Sequence, residues 1–520
     1  MPDTIDRLMR LRAAEHGAKP MVIDQTSQLS YDELDATTQE LAAALIEAGI
    51  VKGTRVGLIM PNGVRWVQIA IAVTRIGAVL VPLSTLLQTR ELTAQLQTAA
   101  VQFLISVEEF RGRRYLDDLQ REQLPALRQV WVADHLVTAS ETTGSIVDAL
   151  AATVTPSDTM VVMFTSGSSG TPKGVIHSHG NALGAVASGL ASRCIDSDTR
   201  LYLPMPFFWV GGFGGGVLSA LLAGATLVTE DIPQPEATLR LLERERVTLF
   251  RGWPDQAEAL ARHPYRAEVD LSALRPGSLD ALLAPEHRAK PGARATLFGM
   301  TEAFGPYCGY PADTDMPQSA WGSCGKPFPG MEVRITDPDT GEPVAAETIG
   351  MIELRGPHTL RGICRRSREE LFTTDGFYPT GDLGRLDDDG FLFYHGRSDD
   401  MFKVSGATVY PTEVEQALRE IDGVQSAFVT NVTGARGDQA GAVVVCDTAA
   451  NTAEQLRTAA RKLLSSFKVP TVWLLVDSDD AIPRGATGKV DARRLRELLS
   501  NSGNSGTGTA PSGGSGCGGL

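Results

Sequence analysis

Short apolar runs separated by helical segments are the feature that most constrains the fold of this chain. Arg55–Met60 and Ala78–Pro82 have the length of strands. The segment between them is predicted to be a helix that Asn62 caps and that ends near Gly77. Strand, helix and strand in this order form the repeating unit of a parallel sheet. The beginning of the chain therefore predicts an α/β fold.

The alternation continues along most of the chain. Ser30 and Glu33 have the spacing of a capping box at the start of an earlier helix, which Gly49 can close. Further helices are expected over Ala182–Ser192 and Glu236–Arg246. Further strands are expected at Gln102–Ser106, Val130–Ala133, Met160–Thr165, Ala225–Thr229 and Thr248–Arg251.

The pattern changes near Val333, where strands with Gly-rich turns begin, and a smaller α+β unit follows over roughly residues 400–500. Residues 501–520 are mostly Gly, Ser and Thr. Such composition cannot form a core. We therefore predict an α/β fold with three parts: a large multi-subdomain N-terminal body over 1–395, a small mobile C-terminal α+β lid domain over 396–500, and a disordered tail over 501–520.

The charge balance limits the classes of partner. The 520 residues contain 48 Lys and Arg against 62 Asp and Glu, a formal net charge of −14. Nucleic acid binding needs a basic face, so no nucleic-acid partner is expected. The six cysteines lack CxxC spacing, which favours free thiols in a reducing cytoplasm. No signal peptide and no transmembrane segment are predicted, and the oligomeric state is left open.

The strongest chemical signal is Thr165–Gly174 (TSGSSGTPKG), which directly follows the apolar run MVVMF. Its glycines let backbone N–H groups converge on phosphate oxygens, its hydroxyls add donors, and Lys173 adds positive charge. The spacing of a Walker loop is absent, and so is a Rossmann GxGxxG. The segment therefore predicts an anion-binding loop.

Five motifs, in order along the chain, carry a resemblance to a known family. After TSGSSGTPKG come FGMTE at Phe298–Glu302, YPTGDLG at Tyr378–Gly384, GRSDDMFKVSG at Gly396–Gly406 and PRGATGKV at Pro483–Val490. Together they resemble the motifs of the adenylate-forming superfamily: acyl-CoA synthetases, aryl-CoA ligases, adenylation domains and luciferases. The chain is most similar to a fatty or small-acid acyl-CoA synthetase. The resemblance implies a ligase that activates a carboxylic acid as acyl-AMP, releases pyrophosphate and forms acyl-CoA, with ATP, Mg²⁺ and coenzyme A as cofactors.

The resemblance also implies roles for single residues at the nucleotide. Glu302 and Thr165 would hold Mg²⁺, which prefers carboxylate and phosphate oxygens. Asp382 would accept hydrogen bonds from the ribose hydroxyls beside Arg397, and Phe298 would stack on adenine. The implied ATP-binding set is Thr165, Ser166, Gly167, Ser168, Ser169, Gly170, Thr171, Lys173, Phe298, Gly299, Thr301, Asp382 and Arg397.

The C-terminal unit would supply the moving parts. By resemblance, Lys489 bridges the acid's carboxylate and the α-phosphate, and with Thr165 and Glu302 it completes the catalytic set. Asp399 is the hinge about which the lid swings between an adenylating and a thiol-transferring pose. The loop that follows would then line the CoA channel with Lys403, Ser405 and Gly406.

The acid pocket is where the sequence departs from the family pattern. Pro206–Phe213 (PFFWVGGF) resembles the acid-pocket motif, but Trp209 stands where many acyl and aryl ligases carry His. Domains that activate amino acids place Asp here, so its absence argues against an amino acid substrate. Trp209 as plain core is an equal alternative. The predicted apolar pocket is lined by Trp209, Gly211, Gly212, Phe213 and Met300.

A second departure is the segment Leu274–Leu297, which is short and lacks the family's Gly-Gly-Ala triplet. The adenine-side wall would then be formed by Gly277, Ser278 and Leu279. Three alternatives stay open: transfer to a carrier-protein thiol, a luciferase-like oxygenase, and a non-catalytic adenylate-binding protein. The sequence leaves open which acid is activated.

Overall fold

The computed structural model describes residues 3–117, 119–136, 144–165, 173–398, 402–404, 407–434, 437–464, 468–484 and 490–504. Contacts divide the chain into two compact units. The first contains Met1–Arg334, Glu353–Pro379 and Leu386–Phe393, and the second contains Ile335–Ile352, Thr380–Arg385 and Tyr394–Leu520. The boundaries at 395 and 500 stay a prediction.

The strands are mostly short, as the apolar runs predict. In chain order they are β1 (Pro20–Ile23), β2 (Gln28–Ser30), β3 (Arg55–Ile59), β4 (Val79–Leu83), β5 (Phe103–Ser106), β6 (Gln129–Val132), β7 (Thr159–Thr165), β8 (Lys173–Ser178), β9 (Arg200–Tyr202), β10 (Thr226–Val228), β11 (Leu249–Phe250), β12 (Phe298–Met300), β13 (Gly305–Gly309), β14 (Lys326–Pro327), β15 (Glu332–Thr336), β16 (Gly350–Arg355), β17 (Gly362–Ile363), β18 (Tyr378–Leu386), β19 (Leu392–Arg397), β20 (Phe402–Val404), β21 (Ala407–Val409), β22 (Val424–Gly434), β23 (Gly437–Cys446) and β24 (Val472–Val476).

The helices lie mainly between these strands. In chain order they are α1 (Ile5–His16), α2 (Tyr31–Glu47), α3 (Val64–Arg75), α4 (Thr89–Thr98), α5 (Gly144–Ala152), α6 (His179–Ser188), α7 (Val210–Gly212), α8 (Ser219–Ala223), α9 (Pro235–Arg244), α10 (Pro254–Arg262), α11 (Pro411–Arg419), α12 (Ala453–Leu463) and α13 (Ala492–Asn504). A π-helical turn, Phe213–Leu218, joins α7 to α8. None of the described helices is long and apolar enough to cross a membrane.

Two mainly parallel sheets form the first unit. One has the strand order β17-β8-β7-β4-β3-β5-β6, in which β8 and β17 run antiparallel to their neighbours. The other has the order β11-β9-β10-β1-β2, in which only β2 pairs antiparallel. The predicted unit of strand, helix and strand is confirmed, because β3 and β4 pair in parallel across α3.

Helix α3 lies between the two sheets, since it contacts β4 of one and β1 of the other. It is buried almost all round, as expected for a helix that is apolar on every side. Its last residue, Arg75, is fully buried. The Arg75 guanidinium lies 2.7 Å from Asp6 and 2.9 Å from Asp35, so two acidic side chains compensate this buried charge.

The smaller sheets have simple orders. Strands β12-β13-β14 form one sheet, β15-β16-β18-β19 a second, and β20-β21 a hairpin. In the second unit, β22-β23-β24 has helices on both faces. Side chains alternate along β23: Ala442 and Val444 pack with α11 and α12, and Val443 and Val445 pack with α13. Helix α13 runs to Asn504, into the segment predicted to be the tail.

The structure tests two predictions about how helices begin. The capping box is confirmed: the Ser30 hydroxyl accepts from the Glu33 N–H at 3.2 Å, and the Glu33 carboxylate accepts from the Ser30 N–H. The prediction that Asn62 caps the next helix is wrong. The carboxylate of Asp24 takes the free N–H of Val64 at 2.9 Å instead.

Candidate active site

The predicted phosphate loop begins and ends on neighbouring strands. Thr165 ends β7, Lys173 begins β8, and the two residues are partners in the antiparallel register. Both side chains are partly buried. The intervening loop residues of the predicted ATP-binding set lie outside the described residues: Ser166, Gly167, Ser168, Ser169, Gly170 and Thr171.

The FGMTE motif forms the strand β12 followed by a tight turn. Gly299 is required here, because a Cβ atom would lie 2.1 Å from the carbonyl oxygen of Gly305 on β13. Glu302 is buried in the turn, and its carboxylate accepts from the Tyr378 hydroxyl at 3.3 Å. The Glu302 carbonyl accepts from the Leu360 N–H at 2.7 Å. The backbone and the side chain of Glu302 are therefore each fixed by a hydrogen bond.

A buried histidine outside the sequence motifs also contacts this turn. His177, in β8, is fully buried, and its Nε2 lies 2.8 Å from the Thr301 carbonyl oxygen. Its ring also packs edge-on against Phe304, with centroids 4.8 Å apart. Burial lowers the pKa of His177 to about 3, so the ring is neutral at physiological pH. The sequence signal is slight: one histidine that follows the apolar pair Val175 and Ile176.

The donors near Glu302 suit magnesium better than a metal held by protein alone. Among the described residues, no group of three or more His, Cys, Asp or Glu could hold a metal ion. Within that part of the chain, only one of the two Glu302 carboxylate oxygens accepts a hydrogen bond. One carboxylate is the sparse protein ligand set with which Mg²⁺ commonly binds phosphates and water. The residues therefore fit a magnesium–nucleotide complex.

The Thr-Gly-Asp motif lies in β18, within the second unit. Asp382 is buried, and its carboxylate lies 3.3 Å from Arg397 Nη1. Arg397 also donates to the Thr380 carbonyl at 3.0 Å. The intervening Gly381 has a φ of +77°, and a Cβ atom there would lie 2.7 Å from the guanidinium. Glycine thus lets Arg397 pack over the turn that presents the Asp382 carboxylate.

Trp209 lies just before α7, and a second tryptophan faces it. The ring of Trp253, which follows β11, stands nearly perpendicular to the Trp209 ring, with centroids 6.3 Å apart and an interplanar angle of 86°. Trp209 is partly buried and Trp253 is 38% exposed. The pair is therefore an accessible aromatic surface at the carboxyl end of a parallel strand. Trp253 lies outside the sequence motifs.

The remaining predicted pocket residues have different environments. Gly212 is buried where a Cβ atom would lie 2.1 Å from the Pro206 carbonyl oxygen, whereas Gly211 is exposed. Met300 is partly buried beside the cluster around Tyr378. Phe213 is fully buried, and its role in the pocket stays a prediction. Its neighbours are Trp66 and Phe304, at centroid distances of 5.4 and 6.3 Å.

Asn62 connects the acid-pocket segment to the core. Its side-chain amide donates to the Met205 carbonyl at 2.9 Å and accepts from the Phe207 N–H at 2.8 Å. This explains why Asn62 does not cap α3. Both polar atoms of the side chain are engaged by the segment that leads to Trp209.

The short segment Leu274–Leu297 is tied to β11. The buried Ser278 hydroxyl accepts from the Phe250 N–H at 3.1 Å, and the Leu279 N–H donates to the Phe250 carbonyl at 3.2 Å. Phe298, which follows the segment, packs edge-on against Tyr307 at 5.6 Å. The adenine-side roles of Ser278, Leu279 and Gly277 stay a prediction.

The predicted lid residues are mostly beyond the described part of the chain. Lys489, Asp399, Ser405 and Gly406 all lie outside the described residues. The backbone of Lys403 lies in β20 and pairs with Thr408 of β21. The catalytic, hinge and channel roles of these residues stay predictions.

Comparisons with known proteins agree with this description. The family model of AMP-binding enzymes matches residues 9–364. A Mycobacterium tuberculosis ligase that joins a (7a-methyl-1,5-dioxo-octahydro-1H-inden-4-yl)propanoyl group to CoA is 33% identical over 96% of this chain and 98% of its own length. A feruloyl-CoA synthase from an Amycolatopsis species is 31% identical over 89% of this chain and 92% of its own length.

A solved structure has the same fold. The crystal structure of ATP-bound MatB from Rhodopseudomonas palustris superposes with a TM-score of 0.79 at 25% identity. The match covers 96% of this chain and all of that one. The predicted α/β fold class is therefore confirmed.

Proposed function

The chain belongs to the AMP-binding enzyme family and is an AMP-forming acid–thiol ligase. From this premise we propose that its substrate is an apolar carboxylic acid that carries a ring. ATP and coenzyme A are the co-substrates that the family uses. The choice of acid, the role of Mg²⁺ and the roles of single residues are parts of the proposal.

The reaction has two halves. In the first, a carboxylate oxygen attacks the α-phosphate of ATP, and pyrophosphate leaves. In the second, the thiol sulfur of coenzyme A attacks the acyl carbon, AMP leaves with the bonding electron pair, and the thiol proton is released. We assign Lys173 and Glu302 to the polyphosphate, Asp382 and Arg397 to the ribose, and Lys489 to the first half. A bound Mg²⁺, held by Glu302 and Thr165, would neutralise phosphate charge.

The observation that carries the acid proposal is the pair formed by Trp209 and Trp253. Two indole rings at 6.3 Å present an apolar, polarisable surface that suits a flat or fused ring. The neighbouring Gly211 is exposed, and a Cβ atom there would lie 3.0 Å from the Met205 sulfur. The relatives support the same class, because one acts on a fused bicyclic propanoate and the other on a feruloyl group. Fatty and small acids, the substrates of the synthetases that the sequence most resembles, become the second choice.

An acid panel tests this proposal. The enzyme is mixed with Mg·ATP, coenzyme A and either ring-bearing acids (bicyclic propanoates, cinnamates, aryl acetates) or linear acids of matched carbon number. AMP and acyl-CoA are quantified together. We expect a higher kcat/KM for at least one ring-bearing series. A clear preference for the linear members of every matched pair would contradict the proposal.

The panel also separates the remaining alternatives. Replacing coenzyme A by a phosphopantetheine-bearing carrier protein tests for a carrier-loading enzyme, which would form thioester only with the carrier. Pyrophosphate release without any thioester would favour a luciferase-like reaction, and no release with any acid would favour a non-catalytic protein. The described cysteines are free thiols, which supports a cytoplasmic location as part of the proposal.

A further inference from the structure

We propose that His177 is a positioning residue for the turn that holds Mg·ATP: its Nε2–H fixes the Thr301 carbonyl and thereby the direction of the Glu302 carboxylate. The inference rests on the proposed role of Glu302 at the magnesium–nucleotide complex. His177 itself is fully buried and is not expected to touch the substrate.

The hydrogen bonds determine which nitrogen of His177 carries the proton. Asn181 accepts through Oδ1 from the Ser178 N–H at 2.6 Å, so its Nδ2 faces His177 Nδ1 at 2.7 Å. The same NH₂ group also donates to the His358 carbonyl at 3.3 Å. Because an amide NH₂ only donates, Nδ1 must be the acceptor and Nε2 must carry the hydrogen. The Nε2–H then donates to the Thr301 carbonyl.

The Thr301 carbonyl is saturated by this bond. It already accepts from the Phe304 N–H at 3.0 Å, which closes the turn, and His177 supplies the second donor at 2.8 Å. Phe304 has a left-handed φ of +52°, an uncommon conformation for a residue with a side chain. The Phe304 ring also packs edge-on against the His177 ring, so His177 contacts both ends of this turn.

The position of His177 joins two parts of the nucleotide site. It lies in β8, the strand that begins with Lys173 at the end of the predicted phosphate loop. On the other side, the Glu302 carboxylate accepts from Tyr378 and the Glu302 carbonyl from Leu360. The bond from His177 is therefore a direct link between the strand of Lys173 and the turn of Glu302. It sets the distance between a cationic and an anionic group that serve one polyphosphate.

Three variants separate the hydrogen bond from packing. In His177→Gln the amide nitrogen can occupy the place of Nε2 and keep the donor to Thr301. In His177→Asn the amide reaches only as far as Nδ1, so the contact with Asn181 is kept and the donor to Thr301 is lost. In His177→Leu both are lost while the site stays filled.

The measurements are acid-dependent ATP–pyrophosphate exchange, thioester formation from supplied acyl-AMP, and calorimetric Kd values for Mg·ATP and for AMP. We expect His177→Asn and His177→Leu to lower the exchange rate about 100-fold. This is the effect of displacing a group in an active site by roughly 1 Å. They should also weaken Mg·ATP binding. AMP binding and the second half-reaction, which do not use the Glu302–metal contact, should stay near wild type. His177→Gln should keep pyrophosphate exchange and Mg·ATP binding close to the wild-type values.

Two results would overturn the inference. In one, the Asn variant exchanges pyrophosphate as fast as wild type. In the other, all three substitutions of His177 weaken AMP binding and Mg·ATP binding equally. That result would indicate that His177 only stabilises the fold. If the wild type activated no ring-bearing acid, the proposed substrate would fail, while the two Kd values would still decide the role of His177.

Discussion

Trp209 and Trp253 meet edge to face, with ring centroids 6.3 Å apart, although they lie on separate segments of the chain. Trp209 precedes α7 and Trp253 precedes α10. Their contact brings the glycine-rich segment that begins at α7 next to the carboxyl end of β11. In open parallel sheets, ligands bind in the crevice outside the carboxyl ends of strands. The pair therefore lies where an acid substrate is expected.

Replacing Trp209 by glycine should shift the preference towards longer or bulkier acids. The lost indole opens space next to Trp253, so larger acids gain contacts that small acids cannot make. We expect the kcat/KM ratio of bulky to small acids to rise about 10-fold, the lower end of what one pocket contact contributes. Trp131→Phe, in the stack with Phe103 on β5 and β6, is the control. Identical ratios across the acid series in all three proteins would contradict a pocket role.

Asp399→Pro should separate the two half-reactions. Proline fixes φ and removes an N–H, so it restricts rotation at the predicted hinge. We expect acyl-adenylate formation near the wild-type rate and thioester formation lowered about 100-fold or more. Asp399→Ala is the control, since it removes the carboxylate and leaves the backbone free. Equal loss of both halves in the proline variant would indicate misfolding or a hinge elsewhere.

His179 should make the stability of the protein fall at acidic pH. Its ring is buried at the start of α6, its Nδ1 accepts from the Ile5 N–H, and burial lowers its pKa to about 4. Asp158 and Asp3 partly oppose this shift, and Lys52 adds to it. Between pH 6.5 and 4 the unfolded chain binds a proton that the folded protein does not. The contribution of His179 to the free energy of unfolding therefore rises with pH in that window, by at most about 1.4 kcal/mol per pH unit.

The test compares urea unfolding of wild type and His179→Asn from pH 4 to pH 8. Asparagine keeps an acceptor for Ile5 and does not titrate, so its slope should be shallower below pH 6.5 and parallel to wild type above pH 7. A His179→Asn slope that matches wild type at every pH would rule this contribution out.

The buried ion pair of Arg75 should stabilise the fold far more than an exposed pair does. Arg75→Met removes the fully buried guanidinium from the Asp6 carboxylate, which has 9% side-chain exposure and keeps its pair with the more exposed Arg10 at 2.8 Å. Removing one partner of a buried pair costs about 3–5 kcal/mol. The control is Arg240→Met, which breaks an exposed pair with Glu236 and should lower stability much less. The urea midpoint is the measurement, and equal shifts for both variants would argue against this account.

Local patterns in the sequence predict elements whose causes are local. The capping box of Ser30 and the apolar run that became β4 need only neighbours in sequence, and both are confirmed. The cap of α3 failed because its partner is Asp24, forty residues earlier, which becomes adjacent only through the fold. Sequence spacing cannot identify such a partner. The strand β22 was not predicted, although Gly423 directly precedes it and Gly434 ends it.

The site shows the same limit. A glycine-rich loop and FGMTE are contiguous, so their residues can be selected from the sequence. Phe213 lies in a contiguous motif too, but its ring turns into the core against Trp66. The two residues that we propose to add to the site, Trp253 and His177, lie outside every motif. They acquire a role only because β11 and β8 bring them to Trp209 and Thr301.

Lys489 should serve only the first half-reaction. In that step a carboxylate and an α-phosphate, both anions, must approach each other, and a cation between them lowers the cost. In the second step the thiol meets a neutral acyl carbon, so the same cation has no repulsion to relieve. By the hinge prediction, the lid has by then carried Lys489 away and brought in the loop that contains Lys403.

Lys489→Ala should therefore lower adenylate formation by about 100- to 1000-fold, the effect of losing one electrostatic group. The variant should convert supplied acyl-AMP and coenzyme A to thioester at nearly the wild-type rate. Lys468→Ala is the control from the same unit: its ammonium pairs with Glu413 at 2.5 Å, so its loss should affect both halves to the same small extent. If the second half-reaction of Lys489→Ala falls as far as the first, the lysine has a structural role or the two-pose lid is wrong for this protein. If neither half falls, PRGATGK does not mark the active site, and the C-terminal unit loses its assigned catalytic group.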